Sequence, residues 1–142
     1  MKNKDIVYHL NDLPKLVVDL AKEFKNFPII ALKGDLGAGK TTLVKSLLNE
    51  WGVKDEVLSP TFTYVNCYKN DSGERFCHFD LYRIETLQQF LSLGFDEYLA
   101  DSEIRCIVEW PQVIERLIES LPVINITIEH ALGETRRLII EQ

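Results

Sequence analysis

The chain has no long uninterrupted run of apolar residues. Although 46% of its 142 residues are apolar, no stretch approaches the roughly twenty residues that a membrane-spanning helix needs. The charged start from Met1 to Asp5 also lacks the apolar segment of a secretory signal. We therefore expect a cytoplasmic protein, and the length predicts one domain over residues 1–142.

Cysteine and histidine are scarce, at three residues each. The cysteines Cys67, Cys77 and Cys106 are odd in number, form no CxxC pair and are not accompanied by clustered histidines. This pattern is unlike a disulfide framework or a zinc site. We expect three buried, reduced thiols.

Basic residues are outnumbered, since 16 lysines and arginines face 22 acidic residues and leave a net charge of −6. The sequence also has no basic run with interleaved aromatic residues. Strong direct binding to nucleic acid is therefore not expected. A role in a nucleic-acid pathway through a protein partner is compatible with this composition.

What the sequence does contain is a phosphate-binding motif. Residues 34–41, GDLGAGKT, fit the P-loop pattern GxxxxGK[ST]. An apolar run at 28–33 predicts a strand before the motif, and apolar residues at helical spacing predict a helix after it. Backbone amides at such a junction converge on phosphate, and a lysine and a hydroxyl add contacts to phosphate and Mg²⁺. The predicted nucleotide-binding residues here are Asp35, Leu36, Gly37, Ala38, Gly39, Lys40, Thr41 and Thr42.

The remaining pattern predicts an α/β fold of the P-loop NTPase type with three layers. A central, largely parallel sheet with antiparallel hairpins would lie between flanking helices. Asn11 is predicted to cap a first helix. A hairpin is expected between Val57–Tyr68 and Arg75–Asp80, and a buried strand over Ile104–Trp110. A further strand is predicted at 6–10, and further helices at 86–93, at 95–99 and after Pro111. The last of these helices should direct four apolar residues toward the core: Ile114, Leu117, Ile118 and Leu121. A final hairpin of 123–130 with 137–141 is expected around Gly133.

Two acidic residues end predicted buried strands. Glu109 matches the Walker B position, where an acid holds Mg²⁺ or its waters, with Glu in place of the usual Asp. Asp80 has two interpretations: it orients or deprotonates the attacking water, or it caps the next helix. The predicted catalytic residues are Lys40, Asp80 and Glu109, and the predicted metal ligands are Thr41 and Glu109.

Several neighbouring residues allow both a functional and a structural interpretation. Thr61 is placed either to contact metal or phosphate or to cap a turn after Pro60. Trp110 either reports nucleotide binding by its fluorescence or packs in the core. His78 shares a strand face with Asp80, but a structural histidine is the simpler interpretation. The remaining candidates are three arginines, Arg83, Arg136 and Arg137. Each could act as an arginine finger, but an ion pair at the surface is the default interpretation.

Beyond the P-loop, four further motifs give the chain a specific resemblance. They are SPTFTYV at 59–65, HFDLYR at 78–83, LGFDEYL at 93–99 and VEWP at 108–111. Together with GDLGAGKTT at 34–42, in this order and spacing, they resemble the TsaE family of small bacterial P-loop ATPases over nearly the whole chain.

The resemblance implies an ATPase that binds ATP and Mg²⁺ in the threonylcarbamoyladenosine pathway of tRNA modification. Its partners would be TsaB and TsaD, and hydrolysis would reset the TsaB–TsaD complex between turnovers. Lys40 falls on the family's phosphate-binding lysine, Thr41 and Glu109 on its metal positions, and Asp80 on its essential acid. Asn11 and Gly133 fall near its base-binding edge.

Rival functions are weighed against the same residues. A GTPase would carry an NKxD motif, which is absent, and a small P-loop kinase usually adds an arginine-rich lid, which is also absent. A nucleotide-gated binding module with negligible hydrolysis stays open, because placing an attacking water depends on small distances.

Overall fold

A seven-stranded mixed sheet forms the centre of the computed structural model, which describes residues 3–142. The strands are β1 (Lys4–His9), β2 (Ile29–Lys33), β3 (Val65–Lys69), β4 (Arg75–Asp80), β5 (Ile104–Glu109), β6 (Val123–His130) and β7 (Thr135–Glu141). Their order across the sheet is β1-β7-β6-β2-β5-β4-β3.

The middle of the sheet is parallel and its margins are antiparallel. Strands β6, β2, β5 and β4 pair in parallel, whereas β3 pairs with β4, and β7 with both β6 and β1, in antiparallel fashion. The carboxyl ends of β2, β4 and β5 therefore meet at one edge, where ligands bind in open α/β sheets. The predicted fold class is confirmed.

Helices cover both faces of the sheet, as the predicted layers require. One face packs against α1 (Leu13–Phe24) and α2 (Lys40–Glu50), and the other against the remaining short helices. Alternation in β6 illustrates the reason, because Ile124, Ile126 and Ile128 are all buried on the face toward α1 and α2. The helices are α1 (Leu13–Phe24), α2 (Lys40–Glu50), α3 (Leu87–Ser92), α4 (Asp96–Ala100) and α5 (Glu115–Ile118). No helix within residues 3–142 is long and apolar enough to cross a membrane.

The start of α1 differs from the prediction. Asn11 lies inside a 3-10 turn, Leu10–Asp12, and does not cap the helix. The Nδ1 atom of His9 instead accepts a hydrogen bond from the Asn11 backbone N–H at 3.1 Å. The cap prediction was wrong because the chain leaves β1 through this extra turn before the helix starts at Leu13, with Pro14 in its first turn.

The helix predicted after Pro111 is also broken. A 3-10 turn over Pro111–Ile114 precedes α5, which ends at Ile118. Ile114 and Ile118 are buried as expected, but Leu121 lies beyond the helix and is 39% exposed. The first hairpin strand is shorter than predicted, because a turn closed by the Tyr64 N–H and the Pro60 carbonyl oxygen (2.7 Å) precedes β3.

The expectation of three reduced cysteines was wrong for two of them. Antiparallel register places Cys67 of β3 opposite Cys77 of β4, with their Cα atoms 4.2 Å apart, and the two form a disulfide. Spacing along the chain could not reveal this, because the pairing depends on strand register. Cys106 is free and buried, as predicted.

A thiol count tests this arrangement. Protein purified without reductant should expose one thiol after denaturation and three after denaturation with reductant. In the native state Cys106 should not react, because burial raises the pKa of its thiol to about 12 and hinders access. The Cys106→Ala variant should give no thiol without reductant, and three thiols in unreduced parent protein would contradict the disulfide.

Candidate functional site

The P-loop joins β2 to α2, as the sequence predicts. Gly37 and Gly39 adopt φ values of +78° and +107°, in the left-handed region that favours glycine. Gly34 allows a close approach instead, since a Cβ there would lie 2.6 Å from the Ile128 carbonyl oxygen. Gly39 precedes the first turn of α2, whose unpaired N–H groups and positive dipole suit an anion.

Lys40 lies almost buried at the start of α2, with 6% of its surface exposed. Its ammonium group donates to the carbonyl oxygens of Gly34 and, at 3.1 Å, Asp35, and lies 4.1 Å from the centre of the Trp110 ring. Burial lowers the pKa of Lys40, and the nearby carboxylates of Glu109, Asp80 and Asp35 act in the opposite direction. The positively charged ammonium group of Lys40 therefore lies where phosphate would bind.

The two predicted acids lie side by side. Asp80 and Glu109 are register partners at the ends of the parallel strands β4 and β5. Glu109 is 2% exposed, and its carboxylate oxygens accept from the Thr41 hydroxyl at 3.3 and 3.2 Å. The structure thus brings Lys40, Thr41, Asp80 and Glu109 together at one cleft.

Oxygen ligands at this position suit Mg²⁺. A hydroxyl and a carboxylate are hard donors, and Mg²⁺ commonly uses one or two such protein groups together with phosphates and waters. Within residues 3–142, no group of three or more histidine, cysteine or acidic side chains forms a metal site by itself. Thr41 and Glu109 therefore fit a metal that binds together with a nucleotide.

Asp80 does not cap the next helix, because Thr86 does so, and its carboxylate instead makes two hydrogen bonds at the cleft. One carboxylate oxygen accepts from the Tyr82 backbone N–H at 3.0 Å, which caps the turn after β4. The other accepts from the Thr61 hydroxyl at 3.3 Å. Thr61 in turn lies 2.8 Å from the Ser59 hydroxyl, and Ser59, Thr61 and Asp80 all line the cleft. The carboxylate thus caps this turn and is a polar group of the site.

His78 lies behind these acids, on the same face of β4 as Asp80. It is fully buried, and its Nε2 atom lies 2.5 Å from a carboxylate oxygen of Glu109. The sequence placed His78 near Asp80, but it gave no indication of the bond to Glu109, which depends on the register between β4 and β5.

Trp110 lines the cleft and also packs, half-buried, against the core. It directly follows β5 with a left-handed backbone (φ +57°), which is uncommon for a bulky residue. This turn directs the ring over the Lys40 ammonium group, and the Tyr82 ring packs against it at 4.9 Å between centroids. A fluorescence response of Trp110 to nucleotide stays a prediction.

Asn11 and Gly133 are not brought into the cleft. They lie near one another at the end of β1 and in the β6–β7 turn, where the Leu10 N–H donates to the Glu134 carbonyl oxygen at 3.1 Å. Neither residue lines the cleft that holds Lys40 and Asp80.

The three arginines have different environments. Arg137 pairs with Asp5 at the surface, at 2.5 Å, as the default interpretation predicts. Arg83 stacks over the exposed ring of Phe62 at 4.7 Å. Arg136 donates from Nε to the Ala38 carbonyl oxygen at 3.1 Å and thereby braces the P-loop. This contact with the loop was missed, because it joins residues that are 98 positions apart.

A second cavity, with a volume of about 550 Å³, lies away from the P-loop between β2, β6 and the segment after β5. Its charged lining includes Glu115, Glu119 and Glu141, and Lys33 pairs with Glu115 at 2.5 Å. This acidic lining repels phosphate, so the smaller cleft at the P-loop is the candidate site.

Comparisons with known proteins identify a family that this chain matches over most of its length. The model of a family described as threonylcarbamoyl adenosine biosynthesis protein TsaE matches residues 7–139. A Rickettsia felis protein described as tRNA threonylcarbamoyladenosine biosynthesis protein TsaE is 34% identical over 94% of this chain and 75% of its own length. A Bacillus subtilis protein of the same description is 38% identical over 87% of this chain and 76% of its own length.

A solved structure is similar as well. The crystal structure of YdiB from Bacillus subtilis superposes with a TM-score of 0.72 and 31% sequence identity. The match covers 98% of this chain and 84% of that one.

Proposed function

Because the chain belongs to the TsaE family of tRNA threonylcarbamoyladenosine biosynthesis, we propose that it binds and hydrolyses ATP with Mg²⁺ in that pathway. Its site would hold the nucleotide phosphates on residues 35–42, with Lys40 neutralising their charge. We further propose that residues 1–142 act as one domain in the cytoplasm.

One observation carries the proposal. The hydroxyl of Thr41, directly after the P-loop lysine, lies 3.2 and 3.3 Å from the Glu109 carboxylate, and Asp80 is the register partner of Glu109. A phosphate-binding loop alone supports binding only. A hydroxyl and an acid suited to Mg²⁺, with a second acid beside them, support hydrolysis as well.

Each residue then has a distinct task. Thr41 and Glu109 would hold Mg²⁺, which neutralises charge on the phosphates when bound. Asp80 would orient the attacking water or accept its proton, since its second oxygen lies in the cleft, where it accepts from the Thr61 hydroxyl. Trp110 would cover Lys40 until phosphate draws the ammonium group away. Asn11 and Gly133 stay proposed as the base-binding edge.

The proposed partners are TsaB and TsaD, with ATP hydrolysis driving turnover of their complex. The cleft's surroundings support a partner: the ring of Phe62, next to Thr61, is 80% exposed, and Leu36 of the P-loop is 65% exposed. A protein partner that docks at the cleft would cover these exposed apolar side chains.

Steady-state ATP hydrolysis with and without the TsaB–TsaD complex tests the proposal. We expect hydrolysis to appear or rise with the complex and to vanish in the Lys40→Ala variant, which controls for contaminating activity. Hydrolysis that ignores the complex would remove the assigned partners. No hydrolysis under either condition, with ATP still bound, would instead identify a nucleotide-gated binding module.

A further inference from the structure

We propose that His78 is a positioning residue for the metal site: its Nε2–H holds one oxygen of Glu109 and thereby orients the carboxylate toward Thr41. The inference rests on the Mg²⁺ site of the proposed function. His78 itself does not contact nucleotide or metal in this proposal, and it acts through Glu109.

The geometry of Glu109 carries the first step. One of its oxygens lies 2.5 Å from His78 Nε2 and 3.2 Å from the Thr41 hydroxyl, and the other lies 3.3 Å from the same hydroxyl. The side chain of His78 is 0% exposed and that of Glu109 3%. Because water has little access to this pair, the hydrogen bond from the His78 imidazole limits rotation of the Glu109 carboxylate.

The hydrogen bond also determines the tautomer of His78. A carboxylate oxygen can only accept, so the short contact places a proton on Nε2. Nδ1 has no hydrogen-bond partner among the described residues, although it is buried. An unpaired buried polar atom destabilises the folded state. Core packing alone does not account for an imidazole here, because an apolar side chain would fill the space without that cost.

Loss of the hydrogen bond between His78 and Glu109 should affect metal binding more than phosphate binding. Partners that orient a ligating carboxylate or histidine typically change metal affinity or activity by about 10- to 100-fold when they are removed. Lys40 and the P-loop residues line the cleft, and His78 is not among its lining residues. Loss of the His78 bond should therefore reduce the Mg²⁺-dependent part of nucleotide binding and spare the remainder.

ADP binding measured by calorimetry against Mg²⁺ concentration, and in EDTA, tests the inference without any turnover. In the His78→Leu variant we expect the Mg²⁺ concentration for half-maximal effect to rise about 10-fold or more, with ADP affinity in EDTA within about twofold of the parent protein. Electron paramagnetic resonance of Mn²⁺ with ADP should show the same weakening. A thermal melt confirms that the variant is folded.

Two amide variants distinguish the hydrogen bond from packing. The His78→Gln variant can place an amide N–H where Nε2–H lies and should restore most of the Mg²⁺ affinity, whereas His78→Asn is too short and should not. This comparison also decides the matter if the leucine variant fails to fold. The inference is overturned if folded leucine and asparagine variants keep the parent's Mg²⁺ requirement, or if glutamine is as impaired as asparagine.

Glu109→Gln separates this inference from the proposed function. If this variant also keeps the parent's Mg²⁺ requirement, the metal site itself is wrong and the inference falls with it. If Glu109→Gln weakens Mg²⁺ binding while the His78 variants do not, only the role of His78 is overturned.

Discussion

Replacing Lys40 with alanine is expected to weaken ADP binding about 100-fold, because the variant loses one or two charge-assisted hydrogen bonds to phosphate. The effect should be large because the ammonium group lies among three carboxylates, those of Asp35, Asp80 and Glu109. Without its charge, these acids would face the nucleotide phosphates unopposed. Calorimetric titration with ADP and Mg²⁺ measures the change without interference from turnover.

Lys45→Ala is the matched control, because Lys45 lies on the same helix with its side chain exposed. It removes an equal charge and should leave the ADP dissociation constant within about twofold, as surface charges interact weakly. A folded Lys40→Ala protein that binds ADP like the parent would contradict the assignment of the P-loop lysine. Equal losses in both variants would indicate a general charge effect.

Features that depend on local pattern could be predicted from the sequence. The P-loop between strand and helix was one, because its glycines and flanking apolar residues are contiguous. The position of Asp80 and of Glu109 at a strand end was another, since each follows a contiguous apolar run, whereas their pairing side by side came from the structure. Alternation and helical spacing likewise predicted the layers of the fold.

Features that depend on register or on tertiary contacts could not be predicted. The Cys67–Cys77 disulfide and the bond between His78 and Glu109 both require knowing which residues of neighbouring strands lie opposite one another. The position of Trp110 over Lys40 follows from a left-handed residue that propensity disfavours. Such contacts depend on the order and register of the strands in the sheet.

Asp80→Asn is expected to lower the rate of ATP hydrolysis about 100-fold or more, the usual contribution of a general base or water-orienting group. Asparagine keeps the shape of the side chain and an oxygen that can accept from the Tyr82 N–H, so the turn after β4 should persist. The charge that attracts the water proton is lost. Nucleotide affinity should stay within a few-fold, because the hydrogen bonds of Asp80 to Thr61 and Tyr82 do not involve the P-loop amides.

The experiment compares single-turnover hydrolysis, with TsaB–TsaD present, against the ADP dissociation constant. Asp80→Ala should lose both the charge and the cap, so a lower melting temperature than that of Asp80→Asn would separate the structural role from the chemical one. Asp71→Asn, at an exposed turn where Asp71 pairs with Lys54, should keep the parent's rate. If Asp80→Asn hydrolyses ATP at the parent's rate, Asp80 only caps the turn, and another group must orient the attacking water.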